Sequence, residues 1–306
     1  MKEKIYQELC TAAGKENVLL KEPMSRHTTF RIGGPADYFV VPDTVEQLSQ
    51  LVKICIKEEI PYFILGNGSN LLVSDEGYRG VVLQLYRNMC DICVKGSQVH
   101  AQAGALLSQI AKKAQEHNLT GFEFAGGIPG TLGGAAVMNA GAYGGEMKEI
   151  LAQVTVLDQQ GNVLTLPSDS LQMGYRTSII KEKQYIVLEA VIQLAKGDPD
   201  VIAERMEELK ELRVSKQPLD YPSAGSTFKR PAGYFAGKLI MDAGLAGYSV
   251  GDAQVSEKHC GFVINQRNAT AEEVKTLMLH VRDQVKEKFG VELEPEVKFL
   301  GFQWDK

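Results

Sequence analysis

The sequence predicts an α+β fold in more than one domain, on three observations. A strand–helix–strand run occupies residues 38–65, hairpin-forming runs and a long branched strand fill residues 154–195, and helical periodicity returns in the last third. With 306 residues, the chain can build two or three domains and a substantial core.

Residues 38–41 form a short apolar strand closed by Pro42. Thr44, with Gln47 three residues on, makes a capping box, and Val45, Leu48, Leu51, Val52, Cys55 and Ile56 recur at helical spacing. Beyond Pro61, residues 62–65 are a second strand, and residues 71–73 and 81–85 are two more. Leu107, Ile110, Ala111 and Ala114 place a helix within residues 104–118. Residues 154–157 and 163–166 flank Asp158-Gln159-Gln160-Gly161-Asn162, a hairpin signal, and residues 185–195 are a long strand. A charged helix over residues 199–210 leads to Arg213 and Pro218, a domain boundary. Residues 233–244 and 270–289 read as helices, the second capped by Thr270 with Glu273. Residues 260–265 and 291–300 read as strands.

Two glycine-rich stretches interrupt this pattern. The first is Leu65-Gly66-Asn67-Gly68-Ser69-Asn70-Leu71. The second is Ala125-Gly126-Gly127-Ile128-Pro129-Gly130-Thr131-Leu132-Gly133-Gly134-Ala135, running on to Asn139-Ala140-Gly141-Ala142. Each offers closely spaced backbone N–H groups with no side chain in the way, the surface a phosphate needs. Neither matches the Gly-x-Gly-x-x-Gly or Gly-x-x-x-x-Gly-Lys-Ser/Thr pattern. One such loop is as readily a tight turn. Two, each with Asn, Ser or Thr beside the glycines, point to a large ligand carrying a pyrophosphate.

The net charge of −5 and the lack of a basic block argue against nucleic acid as a partner. The five cysteines (Cys10, Cys55, Cys90, Cys93 and Cys260) form no regular framework, which fits a reducing compartment. Cys90-Asp91-Ile92-Cys93 reads as an incidental pair, and His100, His117 and His280 lack metal-ligand spacing, so no metal is expected. There is no hydrophobic leader and no apolar run near the ~20 residues that span a bilayer. The expectation is a cytoplasmic monomer with no membrane partner.

Six motifs occur in order: residues 27–36 (His-Thr-Thr-Phe-Arg-Ile-Gly-Gly-Pro-Ala), 66–70, 127–134, Gly174-Tyr175-Arg176, residues 224–231 (Ala-Gly-Ser-Thr-Phe-Lys-Arg-Pro) and Leu293-Glu294-Pro295-Glu296-Val297. In these the chain closely resembles the UDP-N-acetylenolpyruvoylglucosamine reductase family, flavin enzymes of bacterial peptidoglycan precursor synthesis. The resemblance runs from about residue 25 to residue 301. It implies an FAD-binding fold of the vanillyl-alcohol oxidase type in two α+β subdomains (1–95 and 96–200), followed by an α+β substrate-binding domain (201–306). The last strand, about 291–306, would return to the FAD domain. The short spacing between Arg176 and Ser226 resembles the shorter of the family's two types.

The resemblance further implies tight, non-covalent FAD, with NADPH and UDP-N-acetylglucosamine enolpyruvate using one cleft in turn. Reduction of that enol ether drives charge into its carboxylate, so the site needs fixed positive charge and donors. Arg176 suits the first need because its charged fork binds a carboxylate bidentately. Glu296, if protonated, donates a hydrogen bond. Ser226 protonates the carbanion-like carbon, where placement matters more than acidity. Tyr175, Arg213, Lys229, Lys238 and His259 are substrate-binding candidates. The cofactor candidates are Arg31, Gly33, Gly34, Gly66, Asn67, Gly68, Ser69, Asn70, Leu71, Gly126, Gly127, Ile128, Pro129, Gly130, Thr131, Gly133, Gly134 and Asn139. Two alternatives stay open: another flavin oxidoreductase of the same fold, or a non-catalytic flavin or sugar-nucleotide module. Covalent tethering is disfavoured, since neither glycine stretch holds His or Cys.

Overall fold

The computed structural model describes residues 2–304, so the last two residues of the expected 291–306 strand lie outside the described residues. It is an α+β protein of two compact units. The first comprises Met1–Leu19, Tyr38–Asn67 and Gly80–Arg213; the second comprises Leu20–Asp37, Gly68–Arg79 and Val214–Lys306. No helix among the described residues is long and apolar enough to cross a membrane.

The first unit is built on a five-stranded antiparallel sheet, in the order Val163–Pro167, Leu151–Leu157, Ile186–Gln193, Gln98–Gln102, Ile92–Lys95. Its inward side chains alternate as a pleat requires: Val154 and Val156 lie beside Ala190 and Val187, and Ala190 pairs with Ala101. The Leu107–Glu116 helix buries Leu107, Ile110, Ala111 and Ala114 into the same core. Tyr62–Leu65 pairs in parallel with residues 81–84, Leu65 lying opposite Gln84. The Val45–Lys57 helix begins at the expected Thr44, whose hydroxyl accepts from Gln47 N at 3.2 Å, but the expected capping box is only half made, since the Gln47 side chain accepts from Asp43 N at 2.7 Å and not from Thr44 N. The Lys2–Ala13 helix packs on it. The boundary placed at residue 95 falls at the tip of the hairpin joining Ile92–Lys95 to Gln98–Gln102.

The second unit packs the Ala271–Phe289 helix against a small sheet of Ser249–Val250, Ala253–Val255 and Val263–Asn265. The expected Thr270–Glu273 capping box is present, and Gly290 closes the helix in the left-handed conformation. Lys298–Leu300 pairs in parallel with Leu71–Val73, the strand that follows the first glycine stretch.

Three expected elements change. The strand over residues 260–265 shrinks to Val263–Asn265, because Phe262 N bonds His259 O and turns the chain. The helix over residues 233–244 shortens to Ala236–Asp242, since Pro231, Gly233 and Tyr234 form a turn first. The strand over residues 291–300 exists only at Lys298–Leu300. Pro295 has no N–H to extend a ladder, and Phe228–Pro295 is an isolated bridge.

Candidate active site

Within the first unit the two glycine stretches meet. Asn67 Nδ2 donates to the Pro129 carbonyl at 2.8 Å. A Cβ on Gly66 would lie 2.4 Å from Thr131 Oγ1, so only glycine fits there. Not every N–H of the second stretch is available. Those of Ile128, Leu132 and Gly133 already bond the carbonyls of Ala125, Ala105 and Ala103, whereas those of Gly127, Gly130 and Thr131 have no such carbonyl partner. Leu132–Val137 is a short helix, unforeseen, whose N-cap Thr131 makes no side-chain cap bond. Gly134 lies exposed on it, and a Cβ there would meet only Thr131 Oγ1, at 3.8 Å. Nothing in the protein therefore requires glycine at 134; the close approach of a ligand would.

Arg213 was read as a ligand of the third domain. The structure places it against Gly127, where a Cβ would be 3.1 Å from its Nη1. Burial lowers its pKa from the ordinary value, with the Tyr143 phenol acting in the opposite sense, and no carboxylate pairs with it among the described residues. A half-buried cation beside open N–H groups is an anion site.

Arg176 stands in a tight turn in which Gly174 and Thr177 exchange reciprocal backbone bonds of 3.1 and 3.3 Å. Its φ is +56°, a conformation costing a non-glycine residue roughly 1–2 kcal/mol. Lys181 Nζ holds the Arg176 carbonyl at 3.2 Å, and the guanidinium lies 5.1 Å from the Tyr175 ring centre. Asn139, read as a cofactor ligand, is buried and has its side chain fully engaged. Its Nδ2 donates to Glu146 Oε2 (2.8 Å) and the Gly174 carbonyl (3.1 Å), and its Oδ1 accepts from Lys148 N (2.9 Å).

In the second unit, the first glycine stretch continues into the neighbourhood of Glu296. A Cβ on Gly68 would lie 2.1 Å from the His27 carbonyl oxygen, and φ there is +63°. The N–H groups of Gly68, Ser69 and Asn70 donate to no backbone carbonyl among the described residues. Asn70 Nδ2 donates to the Glu296 carbonyl at 3.2 Å, and Asn70 O accepts from Lys298 N at 3.0 Å. Glu296 N in turn donates to Thr227 O at 2.9 Å, which sets the backbone segment that carries Ser226 and Thr227 alongside the one that carries Glu296. Buried Thr227 fixes this pairing, its hydroxyl accepting from Val263 N at 2.9 Å and its N–H bonding Gly261 O. Ser226 is exposed and follows Gly225, whose φ is +75°.

Gly33 and Gly34 are explained by the chain itself. Their Cβ atoms would strike Val73 Cβ at 2.7 Å and Asp75 O at 2.0 Å, so they let two backbone segments pack closely. Arg31 is exposed with φ +57°. Lys229 pairs with Glu294 at 2.7 Å. Lys238 is exposed and pairs with Asp242 at 2.9 Å, while its neighbours Leu239 and Ile240 are buried in the core.

His259 is half-buried. Its Nδ1 accepts from Gly261 N at 3.1 Å, and its ring stands edge-on to Phe262. Burial holds it below the ordinary histidine pKa of 6.5. A neutral ring accepting at Nδ1 carries its proton on Nε2, leaving a donor. Its stabilising contribution is full above pH 6.5 and is lost as pH falls below that value, where the unfolded chain binds a proton the folded ring refuses. His259→Gln should therefore flatten the fall in Tm between pH 7.5 and 5.5.

Residues 36–167 match the FAD binding domain model, and residues 217–300 match that of the UDP-N-acetylenolpyruvoylglucosamine reductase C-terminal domain. The UDP-N-acetylenolpyruvoylglucosamine reductase of Caldanaerobacter subterraneus is 55% identical over 98% of this chain and 99% of its own length. The chain belongs to the UDP-N-acetylenolpyruvoylglucosamine reductase family. The reductase of Lachnoclostridium phytofermentans is 53% identical over 97% of each chain. Among solved structures, the family member from Thermus caldophilus superposes with a TM-score of 0.78 at 34% identity, over 92% of this chain and 98% of the other. Phl p 4.0202, a glucose dehydrogenase, shares the fold alone, with a TM-score of 0.51 at 15% identity over 64% of this chain and 44% of its own.

Proposed function

We propose that this reductase-family chain catalyses the NADPH-dependent reduction of UDP-N-acetylglucosamine enolpyruvate to UDP-N-acetylmuramate with bound FAD, in peptidoglycan precursor synthesis. FAD, when bound, supplies the hydride chemistry. The observation that supports the reading is the Asn70–Glu296–Thr227 chain of bonds, which ties the end of the first glycine stretch to the main chain of Glu296 and of Thr227, the neighbour of Ser226. In the three-part reading, residues 1–95 and 96–200 chiefly serve the cofactor and residues 201–306 the substrate, in a cytoplasmic monomer, with Arg213 lent to the cofactor and Tyr175 and Arg176 to the substrate.

The open N–H groups of Gly68, Ser69 and Asn70 in the second unit and those of Gly127, Gly130 and Thr131 in the first each suit a phosphate of the cofactor, with Arg213 balancing the charge beside the latter. Arg176 stabilises the charge that builds on the substrate carboxylate. Glu296 hydrogen-bonds the same group. Ser226 delivers its hydroxyl proton to the carbon next to the carboxylate and regains one from solvent. Tyr175, Lys229, Lys238 and the Nε2 donor of His259 bind the rest of the substrate.

The test is spectroscopic. NADPH should bleach the flavin absorbance of the purified protein, and colour should return under anaerobic conditions only when the enol ether is added. Anaerobic recovery without the enol ether, or a protein without flavin, overturns the reading. Arg213→Met should weaken FAD binding about 10- to 100-fold, the worth of a charge-assisted hydrogen bond. The apo-protein should keep its Tm or gain slightly, because a half-buried unpaired cation is gone. Flavin fluorescence on dilution reads the first effect, and calorimetry of the deflavinated protein the second.

A further inference from the structure

We propose that Asn139 is a positioning residue for Arg176, with Glu146 and Lys148 as its anchors, rather than a ligand of the cofactor. This rests on the role given to Arg176 above. A non-glycine residue in the left-handed region persists only where its surroundings over-determine it. The Arg176 turn is so determined from one side by Asn139, which bonds the carbonyl of Gly174, the residue that opens the turn. Asn139 is itself left-handed, with φ +42°, and is only 1% exposed. Both of its amide hydrogens and its oxygen have protein partners, so the side chain has no donor left for another group.

The anchors form a compact unit. Glu146 opens a capping box with Glu149, pairs with Lys148 at 2.9 Å and accepts from Asn139 at 2.8 Å. The Lys148 N–H donates back to Asn139. Beyond the turn, the Ser178 hydroxyl donates to the Val137 carbonyl at 2.8 Å, tying the other end of the Arg176 segment to the helix just before Asn139. The guanidinium direction is thereby coupled to the backbone two residues earlier. Misplacement of a charged group by a fraction of an ångström weakens only the step that uses it.

The experiment compares Asn139→Asp, Glu146→Ala and Arg176→Lys in the two half-reactions, with flavin affinity measured alongside. Asn139→Asp keeps the shape, loses both donors and sets a carboxylate against Glu146. Glu146→Ala changes a part-exposed residue and guards against a simple folding failure. Expected are reoxidation by the enol ether slowed about tenfold or more in Asn139→Asp and a few-fold in Glu146→Ala. Reduction by NADPH and FAD affinity should stay within twofold. Loss of flavin affinity would make Asn139 a cofactor ligand and overturn the proposal, as would equal slowing of both half-reactions or no change in either variant. If Arg176→Lys itself leaves reoxidation unchanged, the fault lies with the role given to Arg176.

Discussion

Replacing Ser226 by alanine should leave reduction of the flavin by NADPH intact and slow its reoxidation by the enol ether about 10²- to 10⁴-fold, the usual worth of a positioned proton donor. The split follows from where the hydroxyl stands. Ser226 is exposed, while its backbone course is fixed by its neighbour Thr227, which bonds Gly261, Val263 and Glu296. Removing the hydroxyl leaves those bonds in place, so stability should change by less than about 0.5 kcal/mol. The proton on the serine is already present at neutral pH and has no part in accepting electrons from NADPH. Stopped-flow absorbance of each half-reaction decides the matter: equal slowing of both, or none of the second, removes Ser226 from its role. Ser226→Cys should recover part of the loss, because a thiol at the same place is also a donor.

Local signals were read well. Thr44 with Gln47 and Thr270 with Glu273 place their helix starts correctly, because a cap depends on residues three apart. The 62–65 strand is as expected, being a short apolar run bounded by Pro61 and Gly66. The Lys2–Ala13 helix was overlooked because Ile5, Leu9 and Ala13 keep the helical interval among charged residues that obscure it. Residues 291–297 were read as strand because acidic and apolar residues alternate there, yet Pro295 breaks the ladder. The two glycine stretches were legible as special backbone, but not which glycines serve the chain and which a ligand. Gly33 and Gly34 look like cofactor glycines in a motif, and close packing on Val73 and Asp75 is by itself enough to require glycine at both. Asn139 has the same ambiguity, and the three bonds that occupy its side chain join residues the sequence does not bring together. The Asn70–Glu296 bond joins segments far apart in the chain, and no periodicity reports such a meeting.

That same distinction yields the second large expectation, in which two glycines differ in sign. Gly68→Ala should lower both the stability of the apo-protein and its affinity for FAD. The added Cβ would stand 2.1 Å from a backbone carbonyl oxygen and 2.9 Å from Thr28 Cα, atoms that no rotamer change can move aside. Its φ of +63° adds roughly 1–2 kcal/mol for any residue with a side chain. A loss above about 2 kcal/mol is expected, with flavin binding reduced beyond detection at micromolar cofactor. Gly134→Ala should instead raise the Tm of the deflavinated protein, since alanine is favoured over glycine in a helix by up to about 1 kcal/mol and the nearest atom is 3.8 Å away. Its FAD affinity should nevertheless fall tenfold or more, because the methyl group occupies the space a phosphate would take beside the open N–H groups. Calorimetry without flavin and fluorescence titration with it separate the two quantities. A Gly134→Ala protein that binds FAD as tightly as the parent would reduce the second stretch to a helix start and leave the pyrophosphate without half of its proposed cradle.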